Sequence, residues 1–107
     1  MITVANTAIP TVSAIVTAGA TPVFVDINPE TYLMDISKIE TAITSKTKCI
    51  LPVHLYGQCV DMDPLMEIAH RYRLCILEDC AQAQGALYKK KKAGCLSDVA
   101  TTFILSY

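Results

Sequence analysis

Short apolar runs alternate with helix-spaced segments along this chain, and that alternation constrains the fold more than any other feature. Residues 2–5 ("ITVA"), 21–27 ("TPVFVDI"), 49–55 ("CILPVHL") and 74–77 ("LCIL") read as strands. Between them lie segments with apolar residues at helical intervals. Strand and helix in alternation predict an α/β domain with a mostly parallel sheet. The runs "PVFVDI" and "CILPVHL" are apolar on both faces, as strands covered by helices on both sides should be.

Local signals place the element ends. Residues 9–18 carry Ile9, Val12, Ile15 and Val16 at helical spacing, with Pro10 in the first turn and Gly19 closing the helix. "NPET" at 28–31 is a turn, and Asp35 caps a helix bearing Ile36, Ile39 and Ile43, with Lys38 and Glu40 outward. Asp61-Met62-Asp63-Pro64 opens a further helix with Leu65, Ile68 and Ala69 on one face. Arg71-Tyr72-Arg73 ends it with cations near the negative end of the helix dipole. The last stretch, from Leu87, reads as a hairpin around "KKKKAG" followed by a strand over 99–105.

Composition excludes several function classes. With 107 residues, 52% hydrophobic and 18% charged, the chain is one domain or part of one, and not disordered. A formal net charge of -1 gives no reason to expect a nucleic acid or an anionic membrane as partner. Lys89 to Lys92 read as a solvated hairpin tip. Five cysteines (49, 59, 75, 80, 95) form no C-x-x-C pair, and several sit in apolar runs as small hydrophobes. No metal site is expected. Without a basic-then-apolar leader, this usage predicts a reducing cytoplasm. No apolar run approaches the roughly 20 residues that span a bilayer.

In open α/β sheets ligands bind at the carboxyl ends of the strands. Polar groups gather there: Asp26, His54 with Tyr56, and Glu78-Asp79. Asp26 reads as a strand-end cap. His54 reads equally well as a hydrogen-bonded core histidine or as a functional one. Asp79 is the strongest candidate, because a carboxylate emerging from a buried strand needs a partner, and a cationic ligand supplies one.

The order of "ANTAIPTVSAI", "GATPVFVDINPETYLMD", "PVHLYGQ" and "EDCAQAQGALYKKKKAG" resembles the DegT/DnrJ/EryC1/StrS family of pyridoxal-phosphate sugar aminotransferases. The likeness runs from Val4 to about Val99. It implies an aspartate-aminotransferase-like large domain (PLP fold type I), of which residues 1–107 are an interior piece lacking the small C-terminal domain. It also implies pyridoxal 5'-phosphate (PLP) as cofactor, an amino-acid donor (glutamate), a keto-sugar nucleotide acceptor, and a homodimer with its active site at the interface. Asp79 falls where the family pairs an aspartate with the pyridinium nitrogen. Gln82 falls beside the cofactor's phenolic oxygen, and Cys80 and Ala81 are small enough for close approach. Ser106 falls at the start of a Ser-Phe-Tyr-Pro-x-Lys motif, which would make it a phosphate ligand. His54 and Tyr56 belong to the "VHLYG" loop, and neither they nor Glu78 receive a chemical role.

Departures from the family pattern are specific. Ala8 stands where members often carry a ring-stacking aromatic residue, and Gln84 where they often carry His. No Lys follows Leu96, so the Lys that forms the Schiff base lies beyond Tyr107. The chain by itself is expected not to catalyse transamination. Two alternatives stand beside the aminotransferase: a sugar dehydratase of the same family with another residue in place of the Lys, and a non-catalytic truncated remnant. A Rossmann nucleotide-binding domain ranks last, since no G-x-G-x-x-G follows a strand.

Overall fold

The computed structural model describes residues 1–7 and 9–101. Five strands form one all-parallel sheet in the order β2-β1-β3-β4-β7: β1 (Ile2–Val4), β2 (Val23–Val25), β3 (Cys49–Ile50), β4 (Cys75–Asp79) and β7 (Val99–Thr101). A separate antiparallel hairpin pairs β5 (Leu87–Tyr88) with β6 (Lys91–Lys92). The expected α/β class and mostly parallel sheet are therefore present. Among the described residues, no helix is long and apolar enough to cross a membrane.

The helices follow their end signals. α1 (Ile9–Thr17) closes at Gly19, whose φ of +85° lets its N–H reach Val16 O while Ala20 N–H reaches Ile15 O. Asp35 caps as expected, its Oδ1 accepting from the Ser37 N–H at 3.1 Å. The helix it starts is split, with a 3₁₀ turn over Ile36–Lys38 running into a four-residue α2 (Ile39–Ala42). α3 (Met62–Tyr72) holds Pro64 in its first turn, where the missing N–H costs no helical bond. It ends at Arg73, left-handed at φ 56°. In the hairpin, Lys89 and Lys90 take φ 47° and 71°, the positive values a two-residue turn demands.

The core lies where α3, α2 and α1 meet the sheet. Ile2, Val4, Ile50 and Ile76 on the strands pack with Ile15, Ile39, Met62, Leu65 and Ile68 on the helices. Each such side chain contributes about 1.5–3 kcal/mol by leaving water. Leu65 is fully buried, and Leu65→Ala would cost about 2–5 kcal/mol.

Five sequence expectations are corrected. β4 runs two residues past Leu77, because Glu78 and Asp79 pair with Ala100 and Thr101 of β7. The strand expected over 49–55 pairs regularly only at Cys49–Ile50; Pro52 has no N–H to donate, and Val53 makes an isolated bridge to Asp79. The two-sided burial expected of β2 fails, since it is an edge strand with Val23 and Phe24 exposed. On α1 only Ile15 is buried, and Ile9 stands 81% exposed. Cys80 is buried as a small hydrophobe, whereas Cys75 is exposed despite its apolar run. The part of the predicted 99–105 strand beyond Thr101 lies outside the described residues.

Candidate active site

The carboxyl ends of β1, β2, β3 and β4 bring four loops together. After β3, Tyr56 and Gly57 (φ 54° and 71°) form a tight turn closed by reciprocal hydrogen bonds between Leu55 and Gln58. The Gly57 N–H then donates to Gln82 O at 3.1 Å, tying this turn to the loop after β4. The exposed Tyr56 ring meets Tyr32 edge-on, with centroids 6.5 Å apart. Asn6, after β1, donates from Nδ2 to Tyr32 O at 3.3 Å. Asp26, expected as a strand-end cap, faces Lys38 at 3.6 Å in an exposed ion pair.

Alternation along β4 sends Glu78 and Asp79 to opposite faces. Glu78 is fully buried. Its Oε1 accepts from His54 Nε2 at 3.0 Å and Gly94 N at 3.1 Å. Its Oε2 accepts from Leu96 N at 3.0 Å and Ser97 Oγ at 2.8 Å. Burial alone would raise this carboxyl, but the His54, Ser97, Gly94 and Leu96 donors outweigh it and hold Glu78 below the ordinary glutamate range. His54 is also fully buried, and its Nδ1 accepts from the Val60 N–H at 3.0 Å. The proton therefore sits on Nε2 and points at Glu78. His54 is thus a hydrogen-bonded core histidine.

Cys80 completes this buried group, its thiol pushed up to about 12 by burial and by the charges of Glu78 and Asp79. His54, Glu78 and Cys80 hold ligand-type atoms within 4.8 Å of one another. Both imidazole nitrogens are engaged and the thiol keeps its proton, so the trio offers a cation little. It works as a joint between β3, β4 and the 94–97 loop.

Asp79 lies half-buried on the other side. Oδ1 accepts from the Ala81 N–H at 3.1 Å, and Oδ2 from Thr11 Oγ1 at 2.9 Å. Thr11 Oγ1 in turn lies 2.9 Å from Thr7 Oγ1. Among the described residues, no lysine or arginine pairs with Asp79. Two neutral donors occupy a carboxylate that has about four lone-pair sites. Among the described residues, these two are the donors that Asp79 takes.

Of the expected site residues, the structure brings Asp79 and the Gln82 backbone to the same edge. The Gln82 side chain is exposed. Ser106 and Ala8 lie outside the described residues. Sequence reasoning missed Thr7 and Thr11; their spacing of four across the start of α1 was the available signal. It also missed Ser97, whose hydroxyl no local pattern directs to Glu78.

Comparison with known proteins identifies the family and the fold. The model of the DegT/DnrJ/EryC1/StrS aminotransferase family matches residues 1–104. Over 100 residues the chain is 57% identical to the dTDP-3-amino-3,4,6-trideoxy-alpha-D-glucose transaminase of Micromonospora megalomicea subsp. nigra, covering 94% of this chain and 27% of that protein. The structure of the aminotransferase from Psychrobacter cryohalolentis superposes with a TM-score of 0.90 at 39% identity, over 94% of this chain and 26% of that one. That of NtdA from Bacillus subtilis, solved with bound cofactor PMP, gives a TM-score of 0.80 at 46% identity, over 87% and 21%. The chain thus spans about a quarter of the length of the relatives it matches. It belongs to the DegT/DnrJ/EryC1/StrS aminotransferase family.

Proposed function

We propose that residues 1–107 form the central part of the cofactor-binding large domain of a sugar aminotransferase. The family-length protein would move an amino group from an amino-acid donor, glutamate, to a keto-sugar nucleotide. It would use PLP, work as a homodimer and reside in the cytoplasm. One observation carries the reading: Asp79 is a half-buried carboxylate at the carboxyl edge of the sheet, held by two neutral donors and paired with no described cation. A protonated ring nitrogen fits that acceptor. The relatives support it, since one is named as a transaminase of a dTDP-linked sugar and another was solved with PMP.

When bound, the pyridine ring supplies an electron sink for the carbon that loses its proton. The chain's own residues do the rest. Asp79 holds the proton on the ring nitrogen through a charge-assisted hydrogen bond, roughly twice as strong as a neutral one. Its two neutral donors keep the carboxylate oriented before the ligand arrives. Gln82 offers an amide donor for the phenolic oxygen. Ala81 presents little bulk beside the strand end, so a flat ring could approach the backbone there, while the Cys80 side chain lies buried with Glu78 and His54. Glu78 and His54 stay out of the chemistry and hold the strand ends in register.

The test is amination of a nucleotide-linked keto-sugar by the family-length protein, with glutamate and PLP supplied and products identified by mass spectrometry. An amino-sugar nucleotide appearing in step with 2-oxoglutarate is expected. Retention of cofactor without amino transfer to any dTDP-, UDP- or GDP-linked keto-sugar would refute the reading.

A further inference from the structure

The hydroxyls behind Asp79 have a direction. An ionised carboxylate only accepts, so in the 2.9 Å contact between Thr11 Oγ1 and Asp79 Oδ2 the Thr11 hydroxyl is the donor. Its single hydrogen is then committed. In the 2.9 Å contact between the two threonines, Thr7 must therefore donate to Thr11. The order runs one way, Thr7 to Thr11 to Asp79, and each bond polarises the next. Thr11 lies in the first turn of α1, and Asp79 ends β4, 68 residues further on. The Ala81 N–H grips the other oxygen at 3.1 Å. A carboxylate held at both oxygens by donors from different elements has its plane fixed, and with it the direction of its remaining lone pairs.

We propose that Thr11, oriented by Thr7, is a positioning residue for the cofactor's ring nitrogen, acting through Asp79. The inference rests on the reading that Asp79 faces that nitrogen. Thr11 touches Asp79 and acts on the ligand only through it. Without its hydroxyl, Asp79 keeps its charge but loses one of the two contacts that aim it. The pyridine proton is then held less firmly, although the site still fills.

The experiment uses the family-length protein with PMP labelled with nitrogen-15 in the ring. It reads the PMP dissociation constant and the ring-nitrogen resonance. Thr11→Val keeps the shape and removes the hydroxyl, whereas Thr11→Ser keeps the hydroxyl. Thr11→Val is expected to weaken PMP binding about tenfold, because the Asp79 bond to the ring nitrogen is no longer aimed, and to move the resonance toward the unprotonated ring. Thr11→Ser should match the parent in both readouts. Thr7→Val should act in the same direction, roughly threefold in affinity, and carries the test alone if Thr11→Val does not fold. A parent-like resonance in Thr11→Val, or Thr11→Ser as impaired as Thr11→Val, overturns the inference. Asp79→Asn separates the two levels. If Asp79→Asn leaves the resonance unmoved, the reading of Asp79 fails and the inference falls with it. If Asp79→Asn moves it and Thr11→Val does not, the inference alone fails.

Discussion

Glu78 and Asp79 are consecutive residues of one strand with the same functional group, yet their surroundings differ in every respect. Glu78 sits in the core and takes four donors, from His54, Gly94, Leu96 and Ser97. Asp79 sits at the sheet edge and takes two, from Thr11 and Ala81. A buried carboxylate is tolerated only when its lone pairs are filled, and once filled it has nothing left for a ligand. A half-buried one can be aimed and left open. The difference of one residue in a two-residue repeat thus separates the side of the strand that holds the fold from the side proposed to meet the ligand.

The sharpest way to break this contrast is to neutralise each carboxylate in turn in the family-length protein. Asp79→Asn is expected to slow single-turnover amino transfer about 100-fold or more. A hydrogen bond to a charged group is worth about 1.5–3 kcal/mol, and the charge on the ring grows only as the transition state forms. Its melting temperature should match the parent's. If Asp79→Asn turned over like the parent while Glu78→Gln did not, the two roles would be reversed.

Glu78→Gln should show the opposite pattern. An amide offers one acceptor oxygen where the carboxylate serves donors with two, and its NH2 group faces N–H and O–H groups that also donate. A loss of about 3 kcal/mol in urea unfolding is expected, with PMP affinity near the parent's. Unchanged stability would mean that the 94–97 loop does not depend on this carboxylate.

Acid titration refines the same contrast. The folded-state value of Glu78 is lowered, so its stabilisation is present above the unfolded value of about 4.3 and is lost as pH falls through the lower folded value. Unfolding free energy should therefore drop through that acid window in the parent, and drop less steeply in Glu78→Gln. Equal slopes in both proteins would assign the acid loss to other carboxylates.

The smallest effect belongs to the open side. Gln82→Ala removes an exposed side chain, so stability should not change. Affinity for PMP should fall only a few-fold, the worth of about 1 kcal/mol for a neutral hydrogen bond. A loss as large as that of Asp79→Asn would place Gln82 in the chemistry itself.

What could be read from the sequence was what short stretches encode. Gly19, Asp35 and Pro64 each satisfy a backbone need of their own neighbourhood, and each sits where its residue type indicated. Asp79 was legible because a carboxylate at the end of an apolar strand poses a charge problem on its face. The rest depended on residues far away. β4 extends to Asp79 because Thr101 of β7 and Val53 pair with it on either side, and the regular pairing of β3 ends before Pro52 although the run stays buried. His54 was undecided until Val60 and Glu78 claimed its two nitrogens. Thr11 reaches Asp79 across 68 residues, a pairing that helical or strand periodicity does not encode.

The strand order has a consequence for the making of this protein. β1 pairs with β2 at Ile2 and Val23, but its other neighbour arrives only with Ile50, and β4 gains its outer partner only with Val99. During synthesis at roughly 5–20 residues per second, the β3-facing edge of β1 stays unpaired for about 2–10 seconds after Ile2 has been added. For that interval a nascent chain presents an apolar strand edge to its surroundings, and crowding on a polysome would bring several such edges together. The lifetime of that edge, set by topology and not by the strength of any single contact, is the interval in which a chaperone that shields strands would matter most to this chain.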